Sequence, residues 1–544
     1  MKPQEFNLLD EPWIRLLQQD GSVMEVSLSQ AFEQAHRVKD LAGELPTQDF
    51  AMLRLLLAVL LTVFSRVDIQ GHDAPITMAD QAFDRWSQLW EQKQFPIQPI
   101  RDYLEHYRHR FWLFDQEFPF YQVPSASIGT QYDASKLNGE LLESGNKVRL
   151  FPMRSGKAKN VLSYSEAARW LLFLNGFDDS SIKPKQEDKN NKKKYLPSGV
   201  GYLGKLGLVS AKGSNLFETL MLNLTFCKDG TKLWPERNYP IWEQPLRTIQ
   251  RNKIVIPRNP AELLTLASRR IILIRNNDQV TGYRALGGDF FDVENIFEEQ
   301  MTMWTLKKAR SKVDAFVPKH HDPEKQFWRE FSSLVVEDEE RHLPGIVKWI
   351  EQLQDEEILE DDYFICFKIA SMQYDKKQYS SVDDQFEDSL TFHQALLKQI
   401  DFVWKQTVIN EIDITNKIAS LFGILAINLT KAAGGSNASS AKEKAKTQFY
   451  ARIDQPFRQW LRSIDPNDDT MPERKQQEWD KILYRIAYQY GDELVEKSGP
   501  ASFVGRSVEN DKKEKVFYSS SSAMLQFTYQ LRKTLHIESK RQEG

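Results

Sequence analysis

The sequence predicts an α+β fold: a large mixed α/β N-terminal body, residues 1–385, followed by an all-α C-terminal four-helix bundle, residues 386–544. Three observations support this prediction. The 544 residues, 41% of them hydrophobic and 12% aromatic, are too many for one core and suffice for two or more domains. Before residue 385, short strand patterns alternate with helical ones. After it, helical periodicity is nearly unbroken.

The N-terminal third combines a strand pattern at residues 23–28 with long helical patterns at residues 48–67 and 80–94. The longest apolar run, residues 55–64, is shorter than the roughly 20 residues that span a bilayer. It therefore predicts a buried core helix, and we expect no membrane partner.

The cysteines and the N-terminus bear on the cellular compartment. Cys227 and Cys366 lie far apart and form no Cys-x-x-Cys motif, and the first residues show no signal-peptide pattern. We therefore expect a cytoplasmic protein without a zinc ribbon or a disulfide framework.

The middle of the body contains a basic stretch, residues 147–212, with 14 Lys or Arg and 5 acidic residues. The net charge of the whole chain is −4, so any contact with nucleic acid must come from such local clusters. Within the stretch, Ser163 and Glu166 form a capping-box pattern, which predicts a helix over residues 167–175 that ends at Gly176. Loops are expected on both sides of this helix.

The C-terminal third predicts helical segments separated by turns at residues 434–437 and 465–468. The segments are residues 389–406, 413–433, 440–462, 472–496 and 520–535. They predict a bundle of about four helices.

Residues 199–205 fit both G-x-G-x-x-G and the start of the G-x-x-x-x-G-K phosphate-binding pattern. However, Leu206 stands where a P-loop needs Ser or Thr, and no buried strand pattern precedes the loop, so nucleotide binding is disfavoured. Unhindered glycine amides beside a lysine cluster instead suit contact with a phosphate backbone. A solvated surface loop is the alternative.

His320, His321 and Asp322 resemble the His-Asp core of metal phosphohydrolases. The nine histidines of the chain lack the spacing of further ligands, and Pro323 indicates a loop, so a structural role is favoured. No Ser/His/Asp, Cys/His or paired-carboxylate pattern stands out elsewhere. We therefore expect no enzyme activity, and a metal- or nucleotide-dependent phosphohydrolase acting on nucleic acid is the alternative function.

Residues 374–380, Tyr-Asp-Lys-Lys-Gln-Tyr-Ser, form a polar turn with a central glutamine. A glutamine flanked by cations and an aromatic ring can insert at a base step, while the lysines neutralise phosphates. Unstacking costs free energy at each step, so other contacts must offset it. An ordinary exposed turn, in a purely structural scaffold, is the alternative.

Three motifs resemble a known family: CasA, the large subunit of the type I-E CRISPR surveillance complex Cascade. They are Phe-Asn-Leu-Leu-Asp-x-x-Trp-Ile at residues 6–14, Leu-Ser-x-x-Glu-Ala-Ala-Arg at residues 162–169 and Tyr-x-x-x-Gln at residues 374–378. The resemblance implies a non-catalytic subunit for antiviral defence that recognises the protospacer-adjacent motif (PAM) in double-stranded DNA. It also implies that this subunit wedges the duplex to start R-loop formation and docks a recruited helicase-nuclease.

The resemblance also implies partners and site residues. The partners are the other Cascade subunits, the 5′ handle of the CRISPR RNA, target DNA and the helicase-nuclease; no cofactor or metal is implied, since this chain lacks the cysteine-rich element of some members. The wedge is Gln378, flanked by Lys377 and Tyr379. The PAM and duplex residues are Pro197, Ser198, Gly199, Gly201, Lys192, Lys193, Lys194 and either Lys307 or Lys308. The handle residues are Phe151, Arg154, Lys157 and Lys159.

Overall fold

The structure is a computed structural model with two compact units. The first comprises Met1–Pro323, Val336–Glu360 and Ile365–Ser389, and the second comprises Glu324–Val335, Asp361–Phe364 and Leu390–Gly544. The residues it describes are 4–139, 141–143, 147–148, 154–180, 199–228, 230–250, 253–254, 257, 259–308, 313–360, 362–375, 382–398, 402–467, 471–509 and 514–537. The first unit is mixed α/β and the second is mainly helical, so the predicted fold class is confirmed. The division of function between residues 1–385 and 386–544 stays a prediction.

Helices occur in both units. In chain order they are α1 (Leu28–Gln34), α2 (Pro46–Phe64), α3 (Ala79–Glu91), α4 (Ile97–His106), α5 (Ala134–Leu137), α6 (Tyr164–Phe177), α7 (Leu216–Leu222), α8 (Pro260–Leu264), α9 (Ser332–Val335), α10 (Gly345–Asp355), α11 (Phe402–Ala433), α12 (Ala438–Arg462), α13 (Pro472–Lys497), α14 (Gly499–Val504) and α15 (Ser520–Thr534). Helices α9 and α11–α15 belong to the second unit, and the others belong to the first.

Strands are short in most of the molecule. They are β1 (Glu5–Asn7), β2 (Ile14–Leu17), β3 (Val23–Val26), β4 (Asp40–Leu41), β5 (Trp112–Phe114), β6 (Thr130–Asp133), β7 (Leu141–Glu143), β8 (Lys147–Val148), β9 (Leu208–Lys212), β10 (Cys227–Lys228), β11 (Lys232–Leu233), β12 (Lys253–Ile254), β13 (Arg269–Asn276), β14 (Gln279–Gly287), β15 (Phe290–Phe291), β16 (Trp304–Lys307), β17 (Ala315–Pro318), β18 (Phe364–Tyr374), β19 (Val382–His393), β20 (Arg506–Glu509) and β21 (Lys515–Tyr518). They form sheets of two or three strands rather than one large sheet.

One three-stranded sheet, in the order β19-β18-β9, positions the candidate site. Strand β9 pairs antiparallel with β18, with Ala370 opposite Leu208 and Cys366 opposite Lys212. Leu208 also forms a bridge with Thr302 on its other side. The start of β9 is therefore enclosed between β18 and the segment that leads into β16.

Helix α2 is the core helix of the first unit. Every residue in it except Pro46 and Asp49 is buried. Helices α2 and α11 have the length and composition of a membrane span, but 94% of the apolar window of α2 is buried inside the protein. The buried core helix predicted from residues 55–64 is therefore confirmed.

Helix α6 begins with the predicted capping box. The Ser163 hydroxyl accepts a hydrogen bond from the Glu166 amide, and the Glu166 carboxylate accepts one from the Ser163 amide. The helix runs on to Phe177, however, so the predicted end at Gly176 is wrong by one residue. Gly176 serves close packing instead, because a Cβ atom there would lie 2.7 Å from the Leu203 side chain.

The second unit is built on the predicted bundle. Helices α11, α12, α13 and α15 pack around buried aromatic rings, which are Phe422, Phe449, Phe457, Trp460, Trp479, Tyr490 and Phe527. The prediction of a helix starting at residue 389 is wrong, since β19 continues to His393 and α11 starts at Phe402. Leu390 and Phe392 are buried while Ser389 is exposed, which is the alternation of a strand with one covered face.

Candidate nucleic-acid interface

The two N-terminal motifs of the sequence meet in the core of the first unit. The Arg169 guanidinium donates a hydrogen bond of 2.7 Å to the Trp13 carbonyl and forms an ion pair of 2.7 Å with Glu44. The rings of Phe6 and Tyr164 meet edge to face with 5.7 Å between centroids. Arg169 and Trp13 are buried. The buried residues of these motifs therefore hold the scaffold together.

The basic loop before α6 lies next to the capping box. Arg154 donates a hydrogen bond of 2.7 Å to Glu166, which ties the loop to the first turn of the helix. Burial alone would raise the pKa of Glu166, but the bonds from Arg154 and Ser163 outweigh it and lower that pKa. Lys157 is exposed and Lys159 is half-buried on the 3-10 helix Gly156–Asn160. Phe151 lies outside the described residues.

The glycine loop, residues 199–205, packs against the carboxyl end of α6. The Gly201 amide donates to the Asp178 carbonyl at 2.8 Å, and a Cβ atom on Gly201 would lie 2.3 Å from the Gly176 carbonyl oxygen. Gly199 has a φ of 65°, a left-handed conformation that favours glycine. Glycine is thus required here for close approach and for the turn.

A buried ionic cluster holds the glycine loop against the residues that follow α6. The Arg269 guanidinium donates to the Asp178 carboxylate at 2.5 Å, to the Asp179 carbonyl at 2.8 Å and to the Gly199 carbonyl at 2.8 Å. Lys136 in turn contacts the Asp179 carboxylate at 2.5 Å. Arg269, Asp178 and Asp179 are all buried. The position of the loop is therefore set by paired charges and not by its glycines alone.

The end of strand β18 meets the same helix end. The Tyr374 hydroxyl donates to the Phe177 carbonyl at 2.7 Å. Its oxygen lies 2.3 Å from the place where a Cβ on Gly204 would be, so only glycine fits beside this ring. The predicted wedge residues Lys377, Gln378 and Tyr379 follow directly in the chain but lie outside the described residues.

The hairpin β16–β17 is attached just beyond the glycine loop. The Met303 amide donates to the Gly207 carbonyl at 3.1 Å, and the Lys319 amide donates to the Met303 carbonyl at 2.8 Å. Lys307, at the far end of β16, is exposed. The neighbouring Lys308 is exposed too, but it forms an ion pair of 2.7 Å with Glu340. Of the two lysines predicted for the groove, Lys307 is therefore the one whose charge is not already paired with Glu340.

Not all predicted duplex residues fall in the described part of the chain. Pro197, Ser198, Lys192, Lys193 and Lys194 lie outside it. The described residues lie in two segments. Gly199 and Gly201 lie in the glycine loop, and the two lysines lie in the β16–β17 hairpin, which is bonded to Gly207 just after that loop. Sequence separation hid this arrangement, because about 100 residues separate the glycine loop from β16 and about 60 separate β16 from β18.

The comparisons with known proteins agree with this architecture. A family model described as CRISPR-associated protein Cse1 matches residues 7–490. The chain belongs to the Cse1 family. The resemblance to CasA inferred from its motifs is thereby confirmed.

Two relatives and one assembly show how far the Cse1 likeness extends. The chain is 30% identical over 341 residues to CasA/Cse1 of Thermus thermophilus, a match that covers 61% of this chain and 60% of that protein's length. The crystal structure of Thermobifida fusca Cse1 superposes with a TM-score of 0.84 at 30% identity, covering 99% of both chains. A chain of a CRISPR RNA-guided surveillance complex has the same fold, with a TM-score of 0.67 at 16% identity over 98% of this chain and 100% of that one.

The residues considered for hydrolysis have structural contacts in this Cse1 chain. The His321 ring nitrogen Nε2 lies 2.8 Å from the Leu208 carbonyl oxygen, and the His321 carbonyl accepts a hydrogen bond from Gln373. Burial lowers the pKa of His320. Within the ranges that the structure describes, no group of three or more His, Cys, Asp or Glu could hold a metal ion. The His-Asp segment thus joins β9 to β18.

The glycine loop also lacks the geometry of a nucleotide-binding loop. It leads into a 3-10 helix of three residues, Leu203–Lys205, and then into β9, whereas a phosphate-binding loop opens a longer α-helix whose amides face the phosphate. Lys205 donates to the Phe291 carbonyl at 3.0 Å. This lysine therefore packs inward, onto the scaffold.

Sequence reasoning missed the ionic cluster behind the loop. Arg269 stands at the start of an apolar strand, and Asp178 and Asp179 directly follow an apolar helix. Charged residues in such places are buried only when they are paired. This is the signal that could have marked them, although it does not say which residues pair.

Proposed function

We propose that this Cse1 chain is the large, non-catalytic subunit of a cytoplasmic type I-E CRISPR RNA-guided surveillance complex for antiviral defence. Its tasks are to recognise the PAM in double-stranded DNA, to wedge the duplex open so that R-loop formation starts, and to dock a recruited helicase-nuclease. Membership of the Cse1 family and the fold shared with a chain of a surveillance complex support the class. PAM recognition and duplex opening rest on the geometry of the first unit.

One observation carries the proposal: Tyr374, the last residue of β18 and four residues before Gln378 in the sequence, lies beside the glycine loop. Tyr374, four residues before Gln378, touches both Gly204 and the Phe177 carbonyl. A loop that approaches a groove and a turn that enters a base step must be neighbours if they act on the same few base pairs. They are separated by about 170 residues of sequence, and the fold brings Gly204 and Tyr374 into contact.

The charges near this site support contact with a duplex. Lys307 is exposed on a hairpin whose base is bonded to Gly207, so its ammonium group can reach a phosphate or a groove edge. Readout from the minor groove distinguishes few base pairs, which suits a motif of relaxed sequence. The rest of the target would be read by pairing with the guide RNA.

The handle of the guide RNA would bind at the basic loop before α6. Lys157 and Lys159 lie on the short helix Gly156–Asn160. Arg154 forms an ion pair with Glu166 in the first turn of α6. Phe151, just before these residues, would add a stacking surface for a base. Other subunits of the complex and the helicase-nuclease would dock elsewhere on the chain, including on the helical bundle.

A matched pair of DNA targets tests the wedge. In the assembled complex, Gln378→Ala should weaken binding to an intact duplex several-fold more than binding to a target already melted beside the PAM, because only the intact duplex must be unstacked.

Lys307→Ala should weaken duplex binding and lower the slope of log affinity against log salt by about one, since one phosphate contact is lost.

The control for this experiment is Lys232→Ala, which removes an exposed lysine of β11 and should change neither quantity. Affinities are measured by electrophoretic mobility shift over a range of salt concentrations. Equal losses of Gln378→Ala on intact and melted targets would contradict the wedge, and an unchanged salt slope in Lys307→Ala would remove that hairpin from the interface.

A further inference from the structure

Three chain segments are bonded to one short stretch, the carboxyl end of α6. The Phe177 carbonyl accepts from Tyr374, the Asp178 carbonyl accepts from the Gly201 amide, and the Asp179 carbonyl accepts from Arg269. The last four carbonyl groups of a helix have no partner inside the helix. The Phe177 carbonyl is one of these groups and attaches the end of β18, while the carbonyls of Asp178 and Asp179, which follow the helix, attach the glycine loop and the start of β13.

Arg269 joins the helix end to the loop. Its guanidinium is buried and spans the Asp178 carboxylate on one side and the Gly199 carbonyl on the other. A guanidinium is rigid, always charged and carries five donors, so it fixes several acceptors relative to one another. Lysine at this position has one nitrogen and cannot make the same set of bonds.

Tyr374 joins the loop to the strand. Its ring is buried, and its hydroxyl is held by the Phe177 carbonyl directly against the backbone of Gly204. Because there is no space for even one methyl group between the ring and Gly204, movement of the loop at this point displaces the end of β18. The contact is a tight mechanical link made of two buried residues.

We propose that Arg269 and Tyr374 are positioning residues that join the glycine loop and the end of β18 into one rigid piece, so that reading the duplex and opening it are a single coupled event. This inference rests on the proposed function, in which the loop reads the duplex and the residues after β18 open it. Without the link, loop and wedge would each have to be ordered separately when DNA binds, and affinity for an intact duplex would fall.

Tyr374→Phe tests the link with little risk to folding, because it removes one hydroxyl. Duplex affinity of the assembled complex should fall roughly 3- to 10-fold, the range expected from one buried hydrogen bond. Affinity for a target already melted beside the PAM should stay within about 2-fold, since that target needs no coupled opening. The amount of guide RNA that copurifies reports whether the complex has assembled.

The matched control is Tyr164→Phe. This tyrosine is also buried, and its hydroxyl donates to a backbone carbonyl, that of Asn277, at 3.0 Å. It lies at the other end of α6, roughly 20 Å away for a helix of this length. A purely structural effect of losing such a bond should appear equally in both variants, whereas the duplex-specific loss should appear only in Tyr374→Phe.

Gly204→Ala provides an independent second variant. Its methyl group collides with the Tyr374 hydroxyl, so duplex binding should fall more than in Tyr374→Phe. Combining the two changes should give a smaller loss than the product of the single losses, because the nearest clashing atom, the hydroxyl oxygen at 2.3 Å, is gone and the ring carbon Cζ at 2.9 Å remains. Simple multiplication of the two losses would mean that ring and loop are not linked.

The same assay includes Gln378→Ala so that two failures can be told apart. If Gln378→Ala shows no preference for melted targets, the proposed wedge fails and this inference fails with it. If Gln378→Ala shows that preference but Tyr374→Phe weakens both targets equally, or neither, the wedge stands and the link is refuted. A loss confined to the intact duplex in both variants supports the link.

Discussion

The interiors of the two units are stabilised by different kinds of interaction. In the first, arginines are buried with acidic partners, as in Arg54–Glu299 at 2.8 Å and Arg270–Asp289 at 2.6 Å, with every side chain at most 3% exposed. In the second, aromatic rings fill the interior, and ion pairs such as Arg452–Glu493 lie at the surface. The first interior combines packed rings with directional ion pairs, whereas the described interior of the second relies mainly on packed rings, with Lys405 as a buried cation bonded to two carbonyls.

The difference follows from the secondary structure of each unit. Long helices satisfy their own backbone groups, so the bundle needs only apolar side chains of suitable size in its centre. Short strands, loops and the last turns of short helices leave backbone carbonyls without partners, and buried ones must be satisfied by side chains. Arginine does this in the first unit: Arg54 donates to the Leu263 carbonyl, and Arg169 donates to that of Trp13. Directional bonds of this kind also fix the loops of the proposed interface.

The largest effect is expected from breaking a directional pair. Arg54→Ala should lower the free energy of unfolding of the first unit by about 3–5 kcal/mol, because Glu299 would be left buried and unpaired. Hydrogen exchange measured by mass spectrometry should show the loss in peptides from α2 and around residue 299, and not in peptides from α12 or α13.

The control for this prediction removes both charges. Replacing Arg54 and Glu299 together by methionine should recover a large part of the lost stability, since no unpaired charge is left inside. A loss below about 1 kcal/mol in Arg54→Ala would mean that the pair is more accessible to water than its 1% exposure indicates, and the contrast between the units would weaken.

Conservative substitutions sharpen the comparison. Arg169→Lys keeps the charge but cannot bond Glu44, Glu25 and the Trp13 carbonyl together, so we expect a loss of about 2–3 kcal/mol. Leu483→Met in the buried core of the bundle keeps volume and polarity, so we expect less than about 1.5 kcal/mol. Unit-resolved hydrogen exchange measures both. Equal losses would contradict the distinction between directional ion pairs and packed side chains.

The same distinction explains what the sequence could predict. The ends of α12 and α13 lie within two residues of their predicted ends, because helical periodicity and turn residues are local signals. The pairing of Arg269 with Asp178, 91 residues apart, leaves no local pattern. The sequence predicts a helix over part of β19, because the charged exposed face of the strand hides the alternation of Leu390 and Phe392.

For the candidate site as well, residues with a local sequence pattern could be predicted, and contacts between distant residues could not. Glycines 199 and 201 were recognisable from their spacing, and both have structural reasons to be glycine. The choice between Lys307 and Lys308 could not be made from sequence, since it depends on Glu340, 32 residues further on. The roles of Gln378 and of the handle residues stay predictions.

The last effect, at most about 1.4 kcal/mol per pH unit, concerns a buried acid inside the bundle. Glu411 on α11 is fully buried, and burial followed by the negative charge of Asp480 on α13 raises the pKa of Glu411 to about 8. Burial also raises the pKa of Asp480, to about 6. Here a carboxyl group faces another carboxyl group, whereas in the first unit the buried acids discussed above face cations.

The raised pKa of Glu411 predicts a pH dependence of stability in the second unit. The unfolded chain releases the Glu411 proton near the ordinary value of 4.5, whereas the folded bundle holds it up to about pH 8. Between these values the free energy of unfolding falls as pH rises, by at most about 1.4 kcal/mol per pH unit, and it levels off above them. Glu411→Gln should flatten this slope, while Glu473→Gln, an exposed acid on α13, should not. Hydrogen exchange of α11 peptides at pH 5, 6.5 and 8, corrected for the intrinsic exchange rate, measures it. An unchanged slope in Glu411→Gln would show that this interior tolerates an ionised carboxylate, and the bundle would then have to supply directional partners as the first unit does.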